Sequence, residues 1–190
     1  MLILVRFVLK DTVQKILDAA NAVIHEKGFS GFTIEEVARE AGISKGGLLH
    51  YFKSKDELVK GMVLNFDEKI NAAVKQRVSS VSDPSVSDHF CATVIEGFNM
   101  VRAYPELNSG LVAAVALNKE LLKPMKKNVE EDVKNAEASK DPVFSMLALL
   151  ASIGLTFLEI MEVDVISEEL KDKMLVRILE TLEERKGKWS

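Results

Sequence analysis

Residues 33–58 read TIEEVAREAGISKGGLLHYFKSKDEL, and this stretch decides the fold. Thr33 and Glu36 have the spacing of a capping box, which satisfies free backbone N–H groups where a helix begins. Ile34, Val37, Ala38 and Ala41 fall at i, i+3, i+4 and i+7, one apolar face of a short helix. Gly42 stands where that helix must stop in a left-handed conformation, and Ser44 is placed to cap the next one. Ser54 and Glu57 repeat the capping spacing and open a helix that carries Leu58. Helix, glycine turn and capped helix make the helix-turn-helix plan, whose second helix enters the DNA major groove.

Outward from this core the chain reads as all-α. A first helix spans about Asp11 to Lys27, with Val13, Ile16, Leu17, Ala20, Val23 and Ile24 as its inner stripe. Gly28 ends it, and Phe29 and Phe32 plug the core of the three-helix domain. A fourth helix runs from after Ser54 to about Ser79, with Leu58, Met62 and Phe66 at helical period. Ser79 to Ser87 is rich in Ser, and Asp83-Pro84 supplies a cap with a first-turn proline. A helix then reaches Ala103, where Tyr104-Pro105 breaks it. Further helices are expected over Glu106 to Asn118 and Lys119 to Ser139, with Pro124 near a first turn. Asp141-Pro142 starts a helix to about Val163 that is apolar nearly all round. Ser167 caps the last, in which Leu170, Met174, Leu175, Ile178 and Leu182 form a wide stripe. These last two helices carry more apolar surface than one small domain can hide, which implies a partner. Ala148, Ala151, Ser152 and Gly154 permit close helix approach, and two-fold pairing would give a four-helix bundle.

The order Thr33-Ile34-x-x-Val37-Ala38-x-x-Ala41-Gly42-Ile43-Ser44-Lys45-Gly46, followed by His50-Tyr51-Phe52-Lys53-Ser54-Lys55, resembles the TetR family of bacterial transcriptional regulators. The resemblance is direct from about Asp11 to Leu58 and architectural beyond. It implies a helix-turn-helix DNA-binding domain at residues 1–54 and a larger helical ligand-binding and dimerisation domain at 55–190. It further implies a cytoplasmic homodimer, paired through the last two helices, that represses transcription until a small effector releases it.

On the helix beginning at Ser44, successive side chains step by about 100°. Leu48 and Phe52 then face the core, while Gly46, Gly47 and His50 face the groove and Lys45 projects from the first turn. Glycines let the backbone come close to base edges or phosphates. His50 can donate to a base acceptor or a phosphate, and Lys45 can reach guanine or a phosphate. Gly47 stands where the family usually has Thr, and Leu49 where it has a phosphate-contacting Tyr. Leu49 cannot donate that hydrogen bond, so Tyr51 either replaces it or simply packs. Lys55 matches the family's phosphate-binding lysine, at a helix N-terminus that adds backbone donors. Thr33 can cap and touch phosphate at once.

Beyond the DNA motif the residues narrow the choice of function. The formal net charge of −4 is uneven: up to Lys60 there are nine Lys/Arg against eight Asp/Glu, and the rest is acidic. Affinity for DNA would therefore depend on a few placed contacts rather than a basic field. Cys91 is the sole cysteine, which excludes an internal disulfide and fits a reducing compartment. Three scattered histidines give no zinc spacing, and no catalytic arrangement, phosphate loop or cofactor motif stands out, so neither an enzyme nor a cofactor is expected. Met1 to Leu9 is apolar but short for a span; it reads as a tail, an extra turn of the first helix, an upstream start, or a DNA arm using Arg6 and Lys10. Val143 to Leu158 is likewise short of a span, and a buried helix is expected. Cys91, Val94, Phe98, Leu111, Phe144 and Met146 read by themselves as core, but the TetR resemblance implies that they line an apolar effector pocket, with Asn99 and Tyr104 as polar handles. That lining suits a small lipophilic molecule; the alternative is an architectural or protein-interaction module without a ligand.

Overall fold

Two glycines with positive φ punctuate the N-terminal third of the chain: Gly28 at φ 67° and Gly42 at φ 65°. Only glycine adopts such angles without strain, and each ends a helix in the way the sequence requires. The computed structural model describes residues 2–80, 86–103, 117–161, 163 and 165–187, in which every regular element is helical. Helix α1 (Leu2–Gly31) carries the Gly28 break near its end, and α2 (Ile34–Glu40) and α3 (Lys45–Tyr51) follow. Next come α4 (Lys55–Ser79) and α5 (Val86–Ala103). A 3₁₀ turn (Lys119–Leu122) leads into α6 (Lys123–Glu137), α7 (Pro142–Ile160) and α8 (Glu168–Gly187).

Of the readings open for the N-terminal apolar stretch, the backbone adopts the extended first helix, since α1 begins at Leu2 rather than near Asp11. The helix expected over Glu106 to Asn118 lies largely outside the described residues. Pro124 is the second residue of α6, where a missing N–H costs nothing.

The chain divides into two compact units: Met1–Asp67 with Glu106–Met125, and Glu68–Pro105 with Lys126–Ser190. In the first, Ile16, Leu17, Ala20, Val23 and Ile24 of α1 are buried, as are Val37, Ala38, Leu48, Met62 and Phe66. Burying each Val, Leu, Ile, Met or Phe side chain of this set stabilises by roughly 1.5–3 kcal/mol. Gly61 of α4 makes room for the end of α3: a Cβ there would lie 2.6 Å from Cε1 of Phe52.

In the second unit α5 packs against α7 and α8 around Phe90, Cys91, Val94, Ala148, Leu149 and Leu182. The small residues of α7 divide between two faces. Ala148 and Ser152 are buried, the Ser152 hydroxyl donating to the Val94 carbonyl at 3.5 Å, whereas Gly154 faces open space. The expectation of a buried helix over Val143 to Leu158 therefore needs correction. Pro142–Glu159 is long and apolar enough to cross a membrane by length and composition, but its inner face packs in this unit and its outer face is open. Val143 is 71% exposed, Leu147 60% and Phe157 59%. A helix apolar on all sides buries only the side its own unit can reach.

Among the described residues of this unit one charged side chain is buried. Lys171 of α8 is 4% exposed and ion-paired with Glu159 of α7 and, at 2.6 Å, with Glu168. Arg102 of α5 joins the group through Glu168 and, at 2.7 Å, Asp172. Four charged residues on α7 and α8 thus tie down the C-terminal end of α5.

Candidate nucleic-acid interface

Local hydrogen bonds build the reading surface. Thr33 caps α2, its hydroxyl accepting from the Glu36 N–H at 3.2 Å. Ala41-Gly42-Ile43 then turns the chain, with the Gly42 and Ile43 N–H groups returned to the Arg39 and Ala38 carbonyls. Ser44 caps α3, its hydroxyl accepting from Gly47 N–H at 3.0 Å. Ser54 accepts from Glu57 N–H at 3.1 Å, while the Glu57 carboxylate takes the Lys53 N–H at 2.7 Å. These bonds satisfy the donors a helix start leaves free, each cap being worth about 1 kcal/mol.

Leu48, completely buried, anchors α3, and Phe52 is half-buried beside Gly61. Lys45, Gly46 and His50 are exposed on the helix's outer side. Gly46 faces open space: a Cβ built there meets no atom within 4 Å. Gly47 points elsewhere, since a Cβ on it would sit 3.2 Å from the Ser44 hydroxyl. The outer surface of α3 therefore opens on Gly46 rather than on both glycines. His50 and Tyr51 meet edge to face at 5.4 Å, with Tyr51 half-buried, and the Lys53 ammonium donates to the His50 carbonyl at 3.1 Å.

Four cations of this unit, Lys27, Arg39, Lys45 and Lys55, meet partners that their spacing along the chain did not assign to them. Lys45 pairs with Glu35 at 2.6 Å. Glu36, expected to return to the cap, instead pairs with Lys27 and, at 2.8 Å, with Arg39. Hydrogen bonds from Lys27 and then Arg39 hold the Glu36 carboxyl down at a pKa of about 2, and Lys45 lowers that of Glu35. The Lys55 ammonium, at the first position of α4, lies 4.2 Å over the Phe29 ring and 5.0 Å over Phe32. Burial lowers its pKa from the ordinary lysine value, with the Asp56 carboxylate acting the other way. The Gly28 break, which turns Phe29 out of the line of α1, was the available sequence signal for this contact.

Together the motif, its caps and the all-helical described residues place the molecule among known proteins. Residues 16–62 match "Bacterial regulatory proteins, tetR family", and residues 91–183 match "Tetracyclin repressor-like, C-terminal domain". The chain belongs to the TetR family. Over 86 residues it is 35% identical to the HTH-type transcriptional regulator BetI of Serratia proteamaculans (strain 568), covering 45% of this chain and 43% of BetI. The chain thus spans less than half the length of that curated relative. Among solved structures it is similar to a transcriptional regulator from Rhodococcus sp. Rha1, with TM-score 0.68, 19% identity, and 90% of this chain and 96% of that one covered. The multidrug binding protein EbrR, solved with imidazole, gives TM-score 0.58 at 20% identity, with 87% and 88% covered.

In the C-terminal unit of this TetR-family chain, Cys91, Val94 and Phe98 are buried on α5. Phe144 and Met146 of α7 pack half-buried against the cluster that contains Cys91 and Val94. Asn99 is exposed on α5, away from these side chains' buried face, and Tyr104 and Leu111 lie outside the described residues. Phe144 also lines an open groove of about 530 Å³ between α7 and α8, with Leu147, Ala151, Leu170, Met174 and Ile178. Among the described residues no three metal-ligating side chains cluster.

Proposed function

We propose that this chain is a DNA-binding transcriptional regulator that sits as a homodimer on a palindromic operator and is released by a small lipophilic effector. The observation that carries the DNA reading is α3: a capped helix fixed by Leu48, with Lys45, Gly46 and His50 presented outward. A surface with so little side-chain bulk at its start lets backbone and cation approach a groove closely. Residues 1–54 would read DNA, with Thr33, Ser44, Gly47, Tyr51 and Lys55 as flanking backbone contacts, and residues 55–190 would bind the effector and the second subunit.

The dimer reading is supported by the open apolar face of α7 and its groove with α8, which leave Val143, Leu147 and Phe157 in water in a single chain. Two half-sites one helical turn apart require such a pair. Repression, rather than activation, follows the family's usual direction. The effector reading is supported by the apolar character of the α5 and α7 side chains, and a multidrug binding protein shares the fold. Effector and DNA binding are linked, so each must weaken the other by the same factor.

Titration of the chain against duplexes selected from random DNA tests the reading. One symmetric site should win over random duplex, Lys55→Ala should weaken both alike, and His50→Ala should relax preference at one or two base pairs, costing about 1–3 kcal/mol. Equal binding to every duplex would refute it. A lipophilic compound that raises the melting temperature while lowering operator affinity would identify the effector class.

A further inference from the structure

The ion pair between Glu35 and Lys45 spans the helix-turn-helix, from the first turn of α2 to the first residue of α3, and both side chains are more than half exposed. Its neighbour Glu36 holds Lys27 and Arg39 in the same way. Two adjacent carboxylates at the start of α2 thus neutralise three cations of the small unit that carries the reading helix. Neither acid is buried or needed for the core, and the α2 cap is made by Thr33 and a backbone N–H, not by a carboxylate. DNA presents one negative charge per roughly 1.7 Å of helix axis. A carboxylate paired with a reading-helix lysine occupies the place that a phosphate or a guanine acceptor would take.

We propose that Glu35 is an internal competitor of DNA, an affinity-setting residue that holds Lys45 in the free protein and must be displaced for Lys45 to contact a duplex. The idea rests on the DNA-binding reading given above. An exposed pair of this kind is weak enough to be exchanged, so it attenuates binding without abolishing it. After exchange, the Lys45 charge meets DNA while the bare Glu35 charge stays beside it, and the two largely cancel in the count of released counterions. Removing the Glu35 charge therefore acts in two measurable ways: DNA no longer competes for Lys45, and binding becomes more salt-dependent.

The test is titration of the full chain and its Glu35→Gln, Lys45→Ala and double variants on a random-sequence duplex and on a selected operator, across a salt series. Wild-type binding is measured first, so that failure of the DNA-binding reading is seen separately. Glu35→Gln should tighten binding to both duplexes by about threefold per subunit, and steepen the slope of log affinity against log salt by about 0.9 per subunit. In the Lys45→Ala background the same change should shift affinity by less than about twofold. Unchanged affinity and slope would overturn the proposal. So would an equal gain with Lys45 absent, which would make Glu35 a diffuse field charge, or a loss of affinity with unchanged melting, which would make Glu35 itself a contact.

Discussion

Replacing the two glycines of α3 by alanine, one at a time, separates folding from reading. An exposed helical Gly→Ala change gains about 0.5–1 kcal/mol, because alanine loses less backbone freedom on folding. At Gly46 nothing lies within 4 Å of the added Cβ, so the gain should appear nearly in full. At Gly47 the new Cβ would press the Ser44 hydroxyl at 3.2 Å, and that hydroxyl makes the α3 cap. Weakening a cap costs about 1 kcal/mol, so Gly47→Ala should be close to neutral. On DNA the order reverses. If Gly46 is where the helix approaches the groove, a methyl there is an overpacking of about 1–3 kcal/mol, or a five- to 150-fold loss of operator affinity. Thermal and urea melting followed by circular dichroism, with gel-shift titration of the same samples, gives both numbers. A Gly46→Ala variant that is less stable, or that binds operator as tightly as wild type, would refute the reasoning.

Three further outcomes follow from the geometry. Glu36 is held at about 2 against an ordinary 4.5, so its pairs stabilise the fold fully above about 4.5 and lose that contribution as pH falls toward 2. Glu36→Gln should accordingly melt below wild type at neutral pH, with the gap closing in melts taken between those two values; a constant gap would contradict it. Leu147→Glu, on the open face of α7, should give a folded monomer by sedimentation, whereas Leu182→Glu should unfold the chain at a cost of about 3 kcal/mol or more, since Leu182 is 7% exposed in the core. A Leu147→Glu variant that stays dimeric would move the interface elsewhere. Lys171→Met strands the half-buried Glu159 carboxylate, while Glu168 keeps Arg102, so it should lower the melting temperature more than Lys173→Met at the exposed Lys173–Glu169 pair, and adding Glu159→Gln should recover part of the loss.

The parts legible in the sequence are those set by neighbours along the chain. Thr33, Ser44, Ser54, Asp141 and Ser167 each cap the helix expected of them, because a cap needs only a hydroxyl or carboxylate three residues from a free N–H. Gly42 takes its left-handed turn for the same reason. What depended on distant contacts was not legible. The Glu36 spacing fits a return to its own cap, but Lys27 and Arg39 offer its carboxylate full charges instead. Gly47 is an exception, a local contact overlooked by the 100° step: it lies against the Ser44 cap three residues back, while Gly46 faces outward. The Gly28 break signals that Phe29 leaves the line of α1, but that Lys55 is what it meets depends on where α4 begins relative to α1. On α7 the spacing of the small residues suggests one approach surface, whereas Ser152 meets α5 and Gly154 is open. Ile178 and Leu182 likewise share an apolar stripe and both meet the core, but only Leu182 is fully buried there, while Ile178 also lines the outer groove.

The central claim is that two copies of α3 read one symmetric DNA site. The direct measurement is sedimentation of the chain with a duplex recovered by selection from random DNA, alongside half-site and scrambled duplexes. The account predicts two subunits per full palindrome, weak binding to a half-site, and loss of the complex when Leu147→Glu separates the subunits. A single subunit bound with full affinity, or indifference to whether the duplex is the selected or the scrambled sequence, would contradict it.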